Sequence, residues 1–366
     1  MIWIFLLAFF ASAVTTVFVI ASAHRHRKWS ADDDLSGPQK MHGVAVPRVG
    51  GIGLAAGIVA GALALSVLEP TQMRPIMLML LCGSPTLVVG LMEDFTKAVQ
   101  PRWRVLAPAL SGLLGAYLLE AILVRTGWQW FDRSFVFPGI ALALTMFTSS
   151  GVVNSFNIID GMNGLASMCA ALMLGAIGYI ALHLDDPLVG GVALATAGAA
   201  LGFFVWNYPN GLIFLGDGGA YLPGLMVAES GLMLIYRDRA VSPLAPLMIV
   251  MYPVFETVFT MYRRKVLRGR PVSQPDGIHL HTLIFRRLMR WAIGAQGRAA
   301  LIHGNSMTSP YLWVLTSISV VPAMIWWDNT PMLALCIVTF VLIYLRIYWQ
   351  MVRFKTPWWM RTLRDF

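Results

Sequence analysis

Charge is scarce in this sequence: 12% of its 366 residues are Asp, Glu, Lys or Arg, against 57% that are apolar. A soluble domain carries about 25% charged residues, so a water-exposed globule is excluded. Cysteine is scarcer still. Cys82, Cys169 and Cys336 each lie inside an apolar stretch, which excludes a disulfide framework or a thiolate metal cluster and leaves buried free thiols. No Gly-x-x-x-x-Gly-Lys-Ser/Thr loop is present, which argues against an ordinary nucleotide-hydrolysis site. No internal repeat or low-complexity tract stands out, so a solenoid is set aside.

What the chain has instead is a succession of apolar runs. Each is long enough to cross a bilayer as a helix, the form in which a lipid-embedded backbone satisfies its own hydrogen bonds. Spans are expected at roughly 1–22, 50–68, 76–92, 105–124, 135–153, 164–182, 188–206, 218–236, 243–262, 310–327 and 331–349. The expected fold is all-α: a polytopic integral membrane bundle of about 11 transmembrane helices over 1–349, followed by a basic tail at 350–366. The loops that matter are 23–49, 93–104, 154–163, 207–217 and 263–309.

Lys and Arg collect on the cytoplasmic side of membrane proteins. With the N-terminus outside and the C-terminus cytoplasmic, 22 of the 27 basic residues fall on the inner side, leaving Arg74, Arg125, Arg133, Arg237 and Arg239 outside. The net charge of +9 is therefore a topology signal, with some attraction to anionic lipid, and no nucleic-acid partner is expected. Ala21-Ser22-Ala23 imitates a signal cleavage site, but no basic residue precedes the first apolar run and a basic cluster follows it. That is the pattern of an anchor with its N-terminus outside.

Five polar clusters fall in the inner loops. They are Met41 to Gly53 with His42 and Arg48, Glu93-Asp94-Phe95-Thr96-Lys97, Asn154 to Gly164, Asn207 to Gly219, and Pro275 to His281. Independent loops have no packing reason to place acids, amides and histidines on one membrane face. A shared site supplies one.

Each cluster also has a plainer account. Glu93 and Lys97, four apart, fit a helix-end ion pair, but Asp94 beside Glu93 needs a cation or a proton to relieve the repulsion. Asn154, Asn157 and Asp160 recur every three residues and share one side of a helix. They fit an interhelical hydrogen-bond stripe, or neutral and anionic oxygen ligands for a hard cation such as Mg²⁺. Asp217 fits a helix N-cap or a metal ligand, with Gly216, Gly218 and Gly219 letting a bulky ligand approach the backbone. His279 and His281, followed by Arg286 and Arg287, fit solvated interface residues or a cationic loop that grips phosphate. Gly53, Gly57 and Gly61, spaced four apart, read as helix packing. Carboxylates, amides, a lysine and histidines at a membrane surface suit metal-assisted phosphoryl transfer, in which one reactant is membrane-embedded.

The five clusters, in this order and from about His42 to His281, resemble the polyprenyl-phosphate N-acetylhexosamine-1-phosphate transferase family, glycosyltransferase family 4. The strongest element is Asn154-Ser155-Phe156-Asn157-Ile158-Ile159-Asp160-Gly161, which looks like that family's Asn-x-x-Asn-x-x-Asp-Gly signature. The stretch from Tyr262-Arg263-Arg264 to His279-Leu280-His281 resembles the histidine loop of its undecaprenyl-phosphate GlcNAc-1-phosphate branch. The resemblance implies transfer of a sugar-1-phosphate from a UDP-sugar to polyprenyl phosphate in the inner leaflet of a bacterial inner membrane. It implies release of UMP, Mg²⁺ or Mn²⁺ as cofactor, a cytoplasmic active site and room for a homodimer. By position it implies Asn157 and Asp217 as metal ligands, and Asp94, Glu93 and Asp160 as the catalytic acids. Lys97, Asn154, Asn207, His279 and His281 would bind substrate. Attack by the lipid phosphate, direct or through an enzyme intermediate, stays open.

Several positions depart from the family pattern. Glu93-Asp94 stands for its usual Asp-Asp, Asn163 for a frequent Asp, Glu256 for a common Asp, and Thr282 for a frequent His. A multi-span transporter or lipid flippase is the alternative from another class. It would need ionisable residues near the midplane, where only Glu229 lies clearly deep.

Overall fold

The computed structural model describes residues 1–30, 46–267, 269, 277–288 and 298–353. His42, Pro275, Asp276 and most of the tail expected at 350–366 lie outside them. Every regular element of more than one residue in that set is helical: α1 (Ile2–Ala21), α2 (Ala23–Ser30), α3 (Gly51–Leu68), α4 (Met73–Thr96), α5 (Pro101–Leu118) and the short α6 (Gln129–Asp132) come first. They are followed by α7 (Pro138–Ile159), α8 (Leu165–His183), α9 (Pro187–Asn207), α10 (Gly216–Arg237), α11 (Leu244–Ile249) and α12 (Met251–Tyr262). The last three are α13 (Leu280–Leu288), α14 (Arg298–Ile325) and α15 (Thr330–Val352). Proline opens α5, α7 and α9, where its missing N–H costs no helix bond.

Nine stretches among the described residues are long and apolar enough to cross a bilayer. The other two expected spans are helical only in part: 105–124 as far as Leu118, where α5 ends, and 243–262 in two pieces. α5 carries Arg102 and Arg104 in its first turn, and 243–262 breaks at Val250 into α11 and α12.

The hub is α10, buried from Gly216 to Ile235 and packed against α3, α4, α5, α7, α8 and α9. A helix enclosed by others need not be apolar all round, so α10 can hold Asp217 and Glu229, both fully buried. Glycines bring its neighbours close. A Cβ at Gly90 of α4 would sit 2.6 Å from Gly218 Cα, and one at Gly51 of α3 would sit 2.6 Å from Gly219 N. The glycines around Asp217 therefore admit neighbouring helix backbones and not the ligand for which their sequence leaves room. The stripe Gly53, Gly57 and Gly61 does pack helices: a Cβ at Gly57 or Gly61 would meet the Cβ of Ala199 or Ala195 of α9.

Gly90→Ala is expected to push α4 off α10 at a cost of about 1–3 kcal/mol. A lower melting temperature of the purified protein, with reduced activity, checks it; an unchanged melting curve would refute this packing account.

Candidate active site

The segment before α3 is pinned to the start of α10 by backbone bonds. Phe214 N–H donates to Pro47 O at 2.8 Å, Gly50 N–H to Phe214 O at 3.0 Å and Gly51 N–H to Leu215 O at 3.1 Å. Gly216 takes the left-handed φ of +75° and has Arg48 O and the Asp94 carboxylate where a Cβ would be, so only glycine fits that turn. The result sets Arg48 against Asp217.

Asp217 stands in the first turn of α10. Its Oδ1 accepts from Arg48 and its Oδ2 from the Tyr221 hydroxyl at 3.2 Å, with Arg104 Nη1 3.7 Å away. Asp94, 1% exposed at the end of α4, accepts the N–H of Asp217 at 2.7 Å and of Gly218 at 2.9 Å, one on each oxygen. These are orphan donors at a helix N-terminus, so a carboxylate from another helix caps α10 and complements its dipole. Arg48 Nε lies 3.7 Å from the same carboxylate. Glu93 pairs with Arg104, eleven residues on, and accepts from Val99 N–H at 2.9 Å. Glu93 does not make the helix-end ion pair with Lys97 that was its plainer account: Lys97 takes a left-handed conformation (φ 53°) that ends α4, and its side chain is exposed.

A cavity of about 410 Å³ opens beside this cluster. Arg48, Arg104, Asn157, Asp160, Asn163, Asn207, Asp217, His279, His281 and Asn305 line it. Of the residues singled out in the sequence, Asn157, Asp160, Asn207, Asp217 and both histidines thus meet in one place. Asp94 and Glu93 stand behind it and Lys97 outside it. Asn154 is elsewhere: it lines a second, apolar cavity of about 610 Å³ with Val105, Phe147, Ser150, Val227, Val254 and Val258, and its amide donates to Ser150 O at 2.8 Å. Three-residue spacing falls 60° short of a full turn at each step, so Asn154 and Asp160 diverge by about 120° on an α-helix.

Two amides serve the backbone as well as the cavity. Asn207 bonds Gly164 N–H and Ile213 O. Asn163 donates its Nδ2 to Pro209 O at 2.9 Å, while its backbone N–H donates to Asn305 Oδ1 at 2.7 Å. A carboxylate at 163 would have no hydrogen to donate, which accounts physically for Asn at this position.

The electrostatics separate the ionisable groups. Burial pushes the Asp160 carboxyl up to about 7; Arg48 opposes that shift and Asp217 adds to it. Burial pushes His281 down to about 3, the His279 ring adding and Glu256 opposing. His281 is therefore neutral, and the cationic loop expected of the histidines is not its contribution. The fixed positive charge at the cavity comes from Arg48, a member of the first polar cluster, and from Arg104, which the sequence presents only as a topology charge. The available signal is their position, Arg48 just ahead of α3 and Arg104 at the start of α5, shortly after Glu93-Asp94. Asn305 of α14 offered no motif at all.

Among the described residues no three His, Cys, Asp or Glu side chains form a preformed metal cage. The oxygen-rich lining still fits Mg²⁺, which is held by one or two carboxylates plus substrate phosphates more often than by an all-protein cage. Asn157 donates its Nδ2 to Tyr221 OH at 3.4 Å, leaving its amide oxygen available as a ligand.

Nine described helices long and apolar enough to cross a bilayer, enclosing a buried acid beside a polar cavity, define a helical integral membrane protein. Residues 76–235 match the model of glycosyl transferase family 4. It is 26% identical over 350 residues to a probable undecaprenyl-phosphate N-acetylglucosaminyl 1-phosphate transferase of Bacillus subtilis, covering 93% of this chain and 90% of that one. It is 25% identical to the undecaprenyl-phosphate alpha-N-acetylglucosaminyl 1-phosphate transferase of Thermotoga maritima, covering 79% and 82%. It is 28% identical to a decaprenyl-phosphate N-acetylglucosaminephosphotransferase of Mycobacterium tuberculosis, covering 75% and 71%. The matched span holds Asp94, Asn157, Asp160 and Asp217, while Arg48, His279, His281 and Asn305 lie outside it.

Proposed function

We propose that this chain transfers a sugar-1-phosphate, N-acetylglucosamine-1-phosphate being the reference case, from a UDP-sugar to undecaprenyl or another polyprenyl phosphate, releasing UMP. One observation carries the reading: a polar cavity lined by arginines, acids and amides from separate helices lies near an apolar cavity bounded by α5, α7, α10, α11 and α12. Arg104 lines the first and Val105 the second, consecutive residues of α5. A diphosphate donor suits the polar cavity and a polyisoprenoid chain the apolar one.

In this reading an oxygen of the lipid phosphate attacks the β-phosphorus of the donor. The bond from that phosphorus to the bridging oxygen breaks, and UMP leaves with the oxygen. Such a step needs in-line positioning and charge neutralisation more than covalent help. Arg48 and Arg104 supply fixed positive charge to the phosphates. Asp217, Asn157 and Asp160 would hold Mg²⁺ or Mn²⁺, which when bound polarises phosphoryl oxygens and offsets their charge. Asp94, with both oxygens on backbone N–H groups, is placed to orient Asp217 and poorly placed to attack, which favours direct transfer to the lipid phosphate. The surplus of basic residues on one set of loops supports a cytoplasmic face of the bacterial inner membrane for this site.

Purified full-length protein given undecaprenyl phosphate, Mg²⁺ and a panel of UDP-sugars is expected to release UMP with at least one N-acetylhexosamine donor. Folded protein that releases none with any donor would overturn the reading.

A pH dependence follows from Asp160. The ionised carboxyl binds a cation, and with its pKa near 7 a proton competes below that pH. The Mg²⁺ concentration for half-maximal UMP release should therefore rise about tenfold between pH 8 and pH 6, since metal binding displaces the proton. Asp160→Asn should flatten that dependence; a slope identical to wild type would assign the titration elsewhere.

A further inference from the structure

His279 and His281 stack with ring centroids 5.3 Å apart and planes within 9°, yet their environments differ. His281 is packed against Gly161, where a Cβ would lie 2.6 Å from its Nε2, and its Nδ1 has no partner among the described residues. His279 turns its Nδ1 to the carboxylate of Glu256 on α12, 3.2 Å from Oε1.

Glu256 is fully buried and tightly held. Leu280 N–H donates to its Oε1 at 3.3 Å, the Thr260 hydroxyl to Oε1 at 3.4 Å, and the Tyr344 hydroxyl of α15 to Oε2 at 2.6 Å. With donors on both oxygens the carboxylate acts as an acceptor. The ring proton of His279 then belongs on Nδ1, and the tautomer is set by that bond. Nε2 is left for a ligand, with no protein hydrogen bond to it among the described residues. The far side is braced as well: Arg263 donates to Ile278 O at 2.9 Å and to Tyr348 OH at 2.7 Å, fixing the residue before His279.

We infer that Glu256 is a positioning residue of the transfer site. It fixes the tautomer and ring plane of His279 so that Nε2 is offered to a phosphate of the bound substrates, and Tyr344 ties that order to the last described helix. The inference rests on the transferase reading above. It also gives a physical meaning to Glu at a position where the resemblance leads one to expect Asp: the longer side chain spans from α12 to the ring and to Tyr344 at once.

The test is a double-mutant cycle on the full-length protein, reading UMP release from UDP-GlcNAc and undecaprenyl phosphate. Acting through His279, Glu256→Gln should lower kcat about 10- to 100-fold, the usual loss when the group orienting a functional histidine is removed. The KM for UDP-GlcNAc should move little. Added to His279→Ala, it should cost nothing further, because the two residues act as one unit. Equal losses in both backgrounds, or full activity of Glu256→Gln, would overturn the inference. Tyr344→Phe and Glu256→Asp disturb the network less and serve if the Gln chain does not fold; their losses too must vanish beside His279→Ala. Nitrogen-15 NMR of the wild-type ring tests the pairing without turnover: Nδ1 is expected to carry the proton, and a neutral ring protonated at Nε2 would refute it. Wild-type protein that releases no UMP would sink the transferase reading, with the tautomer still judging the pairing.

Discussion

Asp217→Ala is expected to abolish UMP release, lowering turnover by about 10³-fold or more, while the protein still inserts and folds. Losing a single electrostatic contact in a preorganised site costs about 10²–10³, and Asp217 combines several. It is the acid that receives Arg48, Tyr221 and the approach of Arg104, and it is the carboxylate proposed to hold the divalent ion. Its removal should leave the helix start intact, because the cap on α10 comes from Asp94. Melting temperature should therefore change little while Mg²⁺-dependent stabilisation disappears. Asp217→Ala protein with near-normal rates would remove the metal-ligand role.

Asp94→Asn should be nearly as damaging by a different route. The carboxylate accepts two backbone N–H groups at the start of the hub helix. An asparagine can accept with only one end, and its NH₂ would face a donor. Leaving a buried N–H unsatisfied costs about 1–3 kcal/mol, a cost Asp217→Ala does not incur because both cap bonds to Asp94 remain. The N-terminus of α10 would shift and take Asp217 with it, and a misplacement of about 1 Å can cost about 10²-fold in rate. Stability and turnover should fall together, in contrast to Asp217→Ala. An Asp94→Asn protein with unchanged melting but no turnover would mark Asp94 as a direct participant in the chemistry and refute the cap account.

The pairing of these variants shows where sequence reading reached and where it stopped. Apolar runs and loop charges made the all-helical membrane bundle legible, because bilayer thickness and backbone hydrogen bonding leave few alternatives. The order of the polar clusters made Asn157, Asp160, Asp217 and the two histidines legible as neighbours. What each side chain does inside the cluster was less so. Asp94 meets the N–H of Asp217 across 123 residues, a contact with no local signature. Asn154 shares a three-residue spacing with Asn157 and Asp160 but rotates to the apolar cavity, since 3.6 residues per turn is not three. Arg48 and Arg104 counted as orientation charges in the loops, yet the fold brings both to Asp217. The glycines flanking Asp217 looked like space for a ligand and are filled by α3 and α4, because helix backbones approach closely only at small residues.

The central claim is that Asp217 and Asn157 hold a divalent ion in the cavity between Arg48 and the histidine pair. Electron paramagnetic resonance with Mn²⁺ tests it most directly, using the full-length protein with UDP-GlcNAc present. The account predicts one donor-dependent Mn²⁺ per chain in wild type, lost in Asp217→Ala and weakened in Asn157→Ala. Wild-type binding that survives unchanged in Asp217→Ala would contradict it.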